Sequence, residues 1–120
     1  MKNMIYESEL KVLEILWSQG DMIAKDLTIK LNESTNWSKT TSYTIIKRCI
    51  EKGWIKRIEP HFKCHALLTK EEARKHEVEI LTNKMFNGSS DLLVASLLEG
   101  KMTPAQISKL RDFVQEFAAE

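Results

Sequence analysis

Several residue types are scarce in this sequence, and each scarcity narrows what the chain can be. Of 120 residues only two are cysteine, two proline and four glycine. Two cysteines make no disulfide framework. Cys49 falls in a helical pattern as a small buried hydrophobe, and a cytoplasmic location is the expectation. So little glycine and proline argues against a loop-rich or all-β fold. No stretch approaches the ~18 consecutive apolar residues of a membrane span, and Met1 to Tyr6 lacks the apolar core of a signal peptide. A glycine-rich phosphate loop, a nucleophile-elbow motif and a His-Glu-x-x-His motif are all missing, so the chain is expected not to be an enzyme and to use no cofactor. His61, Cys64 and His65 are close in sequence. Adjacent strand residues point to opposite faces, however, so Cys64 and His65 cannot share one ion without distortion, and no metal site is expected.

What is present is a hydrophobic content of 42%, enough for one core of ordinary size or two small ones. The net charge of +1 hides an uneven distribution. Residues 37–63 hold Lys39, Lys47, Arg48, Lys52, Lys56, Arg57 and Lys63 against Glu51 and Glu59, while the segments on either side are mildly acidic. A compact basic stretch is the footprint expected where phosphates are met, and a solvated charged face is the bland alternative.

Apolar periodicity predicts a first helix from about Glu7 to Ser18, with Leu10, Leu13, Leu16 and Trp17 on one face and Gly20 as its stop. A second covers about Ala24 to Glu33 on the stripe Ala24, Leu27 and Leu31. A third starts at the N-cap Ser38 and ends near Lys52, with Gly53 at its C-terminal cap. Trp54 to Ile58 and Phe62 to Leu68 suit two short strands around a turn at Glu59-Pro60-His61, a small wing. Beyond Thr69 three more helices follow, to about Phe86, from about Asp91 to Leu98, and after the capping sequence Thr103-Pro-Ala-Gln106. The expected architecture is mainly α with a small β wing. A winged helix-turn-helix DNA-binding domain over 1–69 would precede a helical dimerisation region over 70–120.

In the third helix Ser42, Ile45, Ile46 and Cys49 share one face, while Thr40, Tyr43, Thr44 and Lys47 point the other way. Two hydroxyls, a phenol and an ammonium can read base edges in a major groove. Ser38 caps the helix, and Lys39, Thr41 and Arg48 on its flanks are assigned to phosphates. Arg57 and Lys63 on the wing would reach the adjacent backbone or minor groove. In the last two helices Leu93, Leu97, Ile107, Leu110, Val114 and Phe117 form an apolar surface too extensive for so short a segment to cover, and a second copy of the chain is the expected partner. Packing back onto the winged domain is the alternative.

The run Glu9-Leu-Lys-Val-Leu-Glu-Ile-Leu-Trp17 carries a family resemblance. So do Trp37-Ser38 with Thr41 and Thr44, and Arg48 through Lys52-Gly53-Trp54-Ile55. Leu68-Thr-Lys-Glu-Glu-Ala-Arg74 and Leu93-Val94 complete the set. With these features the chain resembles the penicillinase-repressor family of bacterial transcriptional repressors, the BlaI/MecI/CopY group, over nearly its whole length. The resemblance implies a homodimeric repressor of double-stranded operators with dyad symmetry. For the antibiotic-responsive members it implies relief through a sensor-linked protease that cuts within the dimerisation region. Three departures stand out. Lys39 occupies the place where the family commonly has proline. Ser96-Leu97, the candidate regulatory cleavage site, replaces the family's Asn-Phe pair, which weighs against cleavage by the same protease. No cysteine follows Cys64, which excludes copper sensing through paired Cys-x-Cys motifs. A winged-helix protein-interaction module, or a regulator answering a different inducer, is the alternative function.

Overall fold

A computed structural model of the chain describes residues 4–100 and 102–119. Lys101, in the link before the last helix, lies outside the described residues, as do the first three residues of the segment Met1 to Tyr6. The described elements run α1 (Glu7–Gln19), β1 (Met22–Ile23), α2 (Ala24–Thr35), α3 (Lys39–Glu51), β2 (Ile55–Ile58), β3 (Lys63–Ala66), α4 (Lys70–Met85), α5 (Ser90–Glu99) and α6 (Pro104–Ala119). They fall into two compact units, Met1–Val78 and Glu79–Glu120, divided inside α4. Ala73 on the first part of α4 is buried in the core of the first unit, which explains why the division follows it.

The first unit is a winged helix. Val12, Leu13 and Leu16 of α1, Ala24, Leu27 and Leu31 of α2, and Ile45, Ile46 and Cys49 of α3 close around Trp54, Ile55 and Cys64 of the hairpin. On α1 the buried face is turned slightly from the expected one, so that Leu10 and Trp17 sit at its edge. The Trp17 indole N–H donates to the Leu68 carbonyl at 2.8 Å, which gives a half-buried indole the partner it needs.

The wing has three strands in the order β1-β3-β2, all antiparallel. Met22 pairs with Cys64 and Ile23 with Lys63, while Ile55 to Ile58 pair with Ala66 back to Lys63. The two-residue β1 was not expected, because two residues are too few to show an alternation. Both hairpin strands are shorter than the sequence suggested. β3 ends at Ala66 because the Leu67 and Leu68 N–H groups turn to the Trp54 carbonyl, at 2.8 and 3.3 Å.

The helix ends follow the sequence signals. The Ser38 hydroxyl accepts from the Thr41 N–H at 3.1 Å. At the far end of α3, Gly53 takes φ 81°, its N–H donates to Ile50 O, and the Trp54 N–H donates to Cys49 O, both at 3.0 Å. This pair of bonds is a Schellman closure, and its left-handed residue favours glycine. Thr69 with Glu72, and Thr103 with Gln106, form reciprocal capping boxes at α4 and α6. The Glu72 carboxyl is held below its ordinary value by the Thr69 backbone N–H and then by the Thr69 hydroxyl. No helix among the described residues is long and apolar enough to cross a membrane.

Candidate nucleic-acid interface

α3 presents the two faces its sequence requires. Ser42, Ile45, Ile46 and Cys49 are buried, and Lys39, Thr40, Thr41, Thr44 and Lys47 are exposed. The exposed face thus offers two ammonium groups and three threonine side chains. The Thr44 hydroxyl donates to the Thr40 carbonyl at 3.0 Å, which leaves its oxygen lone pairs and its methyl outward. The Ser38 hydroxyl donates to Thr41 Oγ1 at 3.0 Å, so both hydroxyls at the helix start are oriented. Tyr43 is half-buried, with its ring against Phe62 of the wing turn.

The seven cations of the basic stretch divide into two sets. Lys39, Lys47, Lys56 and Lys63 are exposed and make no ion pair among the described residues. Arg48, Lys52 and Arg57 are held internally. Arg48 Nε lies 2.6 Å and Lys52 Nζ 2.8 Å from Glu9 Oε2, and Arg48 Nη2 donates to Ser8 Oγ at 2.8 Å. Arg48, expected at a phosphate, is thus paired with Glu9 in the protein alone, with its side chain still 38% exposed. At 100° per residue it falls on the border of α3 that faces α1, where Glu9 claims it. Arg57 pairs with Glu59 and stacks over the Phe62 ring at 3.7 Å, so the wing guanidinium is also engaged.

Glu9 is the residue that sequence reasoning missed. It is fully buried, 0% exposed, yet ionic. Burial pushes its carboxyl up. The Lys52 ammonium, the Tyr6 backbone N–H and the Arg48 guanidinium together outweigh that, so it sits below its ordinary value. The Tyr6 N–H donates to Oε1 at 2.9 Å, and the Lys52 ammonium lies 4.3 Å from the centre of the Tyr6 ring. The available signal was register. Glu9 stands three, four and seven residues before Val12, Leu13 and Leu16, inside the apolar stripe.

The other grouping weighed in the sequence does not assemble. Cys64 is buried on one face of β3, while His65 points outward with Nδ1 2.8 Å from Asp21 Oδ1, and His61 is exposed on the turn. Burial pushes the Cys49 thiol up to about 12 and that of Cys64 to about 11, so neither is a thiolate at neutral pH.

In the second unit α5 buries no residue, although it is rich in leucine. Leu93, Ile107 and Leu110 are half-buried, whereas Leu97, Val114 and Phe117 are exposed, Phe117 to 76%. Ser96 and Leu97 are both exposed but lie within α5, where the backbone is helical.

A family model described as penicillinase repressor matches residues 5–116. The methicillin resistance regulatory proteins MecI of Mammaliicoccus sciuri and of Staphylococcus aureus strain N315 are each 25% identical over 122 aligned residues, covering 97% of this chain and 99% of theirs. An uncharacterized 16.5 kDa protein from the ptsI 3′ region of Latilactobacillus sakei is 27% identical over 99 residues, covering 81% of this chain and 68% of its own length. Among solved structures, the DNA binding domain of the repressor BlaI in solution shares the fold. Its TM-score is 0.54 at 21% identity, over 60% of this chain and 93% of that one.

Proposed function

The chain belongs to the penicillinase repressor family of DNA-binding transcriptional repressors, and from that premise we propose how it represses. Each protomer of a homodimer seats α3 in the major groove of one half of a palindromic operator, and occupancy alone, with no chemical step, blocks transcription. The observation that carries this reading is the polar face of α3 from Lys39 to Lys47, which stands clear of the body while the opposite face is buried. Thr40, Tyr43, Thr44 and Lys47 contact base edges. Ser38, Lys39, Thr41 and Lys63 hold the phosphates and so fix register. Arg57 joins them once it leaves Glu59.

The second half of the proposal is assembly. Leu97, Val114 and Phe117, with Leu93, Ile107 and Leu110 behind them, supply an apolar face for a second copy. A two-fold dimer aligns two recognition helices with two half-sites, and linkage multiplies their affinities. A duplex-DNA partner supports a cytoplasmic location for the protein. Control by a sensor-linked protease at Ser96–Leu97 requires α5 to open locally, because the bond lies inside a hydrogen-bonded helix.

Selection from a random-sequence duplex library by the purified protein tests the whole reading, with a palindrome as the expected product. Thr44→Ala and Lys47→Ala should each weaken binding to that palindrome by about 1–3 kcal/mol without lowering the unfolding midpoint. Unchanged affinity in both would refute the placement of α3. Phe117→Asp should sediment as a monomer, and a persistent dimer removes the α6 interface. A protein-interaction module on the same fold predicts duplex binding with little salt dependence. The four exposed lysines predict a steep one, a slope of about −0.9 for each phosphate neutralised.

A further inference from the structure

The wing turn contains a residue that none of the assignments above uses. Phe62 takes φ 53°, a left-handed backbone conformation that bulky side chains seldom adopt. Such a conformation persists only where the surroundings over-determine it, and here three elements do. The Phe62 carbonyl accepts the Ala24 N–H at the start of α2, at 2.8 Å. One side of its environment is the Arg57 guanidinium of β2, 3.7 Å from the ring centre. Another is the Tyr43 ring of α3, tilted by 45° with centroids 6.0 Å apart, within the range of favourable aromatic pairs. The ring is half-buried against the core, so it has little freedom to swing away.

We propose that Phe62 is a positioning residue of the DNA interface, whose ring locks Tyr43 on the recognition helix and Arg57 on the wing into one arrangement. Without it, each of the two side chains has rotamers to lose on meeting the duplex, and binding bears that ordering cost. Phe62 itself need touch no base. The inference rests on the reading of α3 as the groove helix, so the test carries Lys47→Ala alongside.

The probe is the duplex selected by the wild-type protein, titrated against Phe62 variants whose thermal midpoints are measured in parallel. Phe62→Leu keeps apolar bulk and removes the ring face. It should lose affinity on the order of tenfold. Phe62→Tyr keeps the face and should bind as wild type. Phe62→Asn suits the left-handed backbone but gives up the ring's packing on the core, so it should lose the same affinity as Phe62→Leu while its midpoint falls by a different amount. The losses from Phe62→Leu and Tyr43→Leu should add to less than their sum, because the ring acts in part through Tyr43. The proposal is overturned if Phe62→Leu binds as wild type, if its loss adds fully to that of Tyr43→Leu, or if affinity tracks thermal midpoint across the series. Should Lys47→Ala also bind as wild type, the placement of α3 fails; should it alone weaken binding, only the role of Phe62 does.

Discussion

The two units of this chain put similar side chains to opposite use. In the first, leucine and isoleucine at helical spacing vanish into a core shared by three helices and a hairpin, and even a carboxylate is enclosed. In the second, α5 has the highest leucine density of the chain and buries nothing, and α6 leaves Phe113, Val114 and Phe117 in the open. Apolar content therefore does not by itself distinguish an interior from an exposed face. What distinguishes them is whether enough chain is at hand to enclose the stripe. Polar chemistry divides the same way. The first unit has an outward face of lysines and threonines, as phosphates and bases require, whereas the second unit's most exposed large hydrophobic, Phe117, is a phenylalanine 76% in the open.

The contrast can be broken with substitutions, and tryptophan fluorescence is the natural probe, since Trp17, Trp37 and Trp54 all lie in the first unit. The largest effect is expected at Glu9. Glu9→Ala leaves Arg48 and Lys52 without their carboxylate and should lower the unfolding free energy by about 3–5 kcal/mol in urea titrations. A change within experimental error would show that the cluster contributes little to the fold. The pH dependence sharpens the same point. Because the folded carboxyl lies below the ordinary glutamate value of about 4.3, its contribution is complete above that value and is lost as pH falls through the lower, folded one. The acid limb of stability should therefore be shallower in Glu9→Gln.

Next in size comes a matched pair of leucines. Leu27→Ala, in the enclosed core, should cost about 2–5 kcal/mol. Leu97→Ala should move the same fluorescence transition by no more than about 0.5 kcal/mol at a dilution where sedimentation shows monomers. Equal costs would erase the distinction between the enclosed core and the exposed apolar face. The smallest effect is expected at Glu59. Glu59→Gln releases Arg57 from its neighbour and should steepen the salt dependence of duplex binding by about 0.9 if the guanidinium then reaches one phosphate. An unaltered slope would confine Arg57 to its stack on Phe62.

Much of this was legible in the residues. Ser38 as a cap, Gly53 as a helix end, Thr103-Pro104 as a helix start and the two faces of α3 each follow from local chemistry acting within a turn or two, and each is seen. The misses share a cause. The ion cluster joins Glu9 to Arg48 and Lys52, 39 and 43 residues away, and β1 exists only because β3 passes beside it. Partners chosen by tertiary packing leave no local periodicity. Arg48 shows the consequence for the site, since charge type alone gave no sign of the carboxylate that it pairs with in the protein alone. Tyr43 is a milder case, outward by helical phase yet half-covered by a wing residue nineteen positions later.

The Schellman closure at Gly53 and Trp54 has a corollary for how sequences of this type can change in length. Trp54, one of the two residues that finish α3, also anchors the base of the hairpin, since its carbonyl receives both Leu67 and Leu68. One residue inserted between Lys52 and Ile55 would reverse the strand's alternation, turning Ile55 outward and Lys56 into the core. A change of length is therefore disfavoured at this root, and because Phe62 is tied to Ala24 it is best accommodated at Glu59 to His61, where the reach of the wing can change while its pitch relative to α3 is kept.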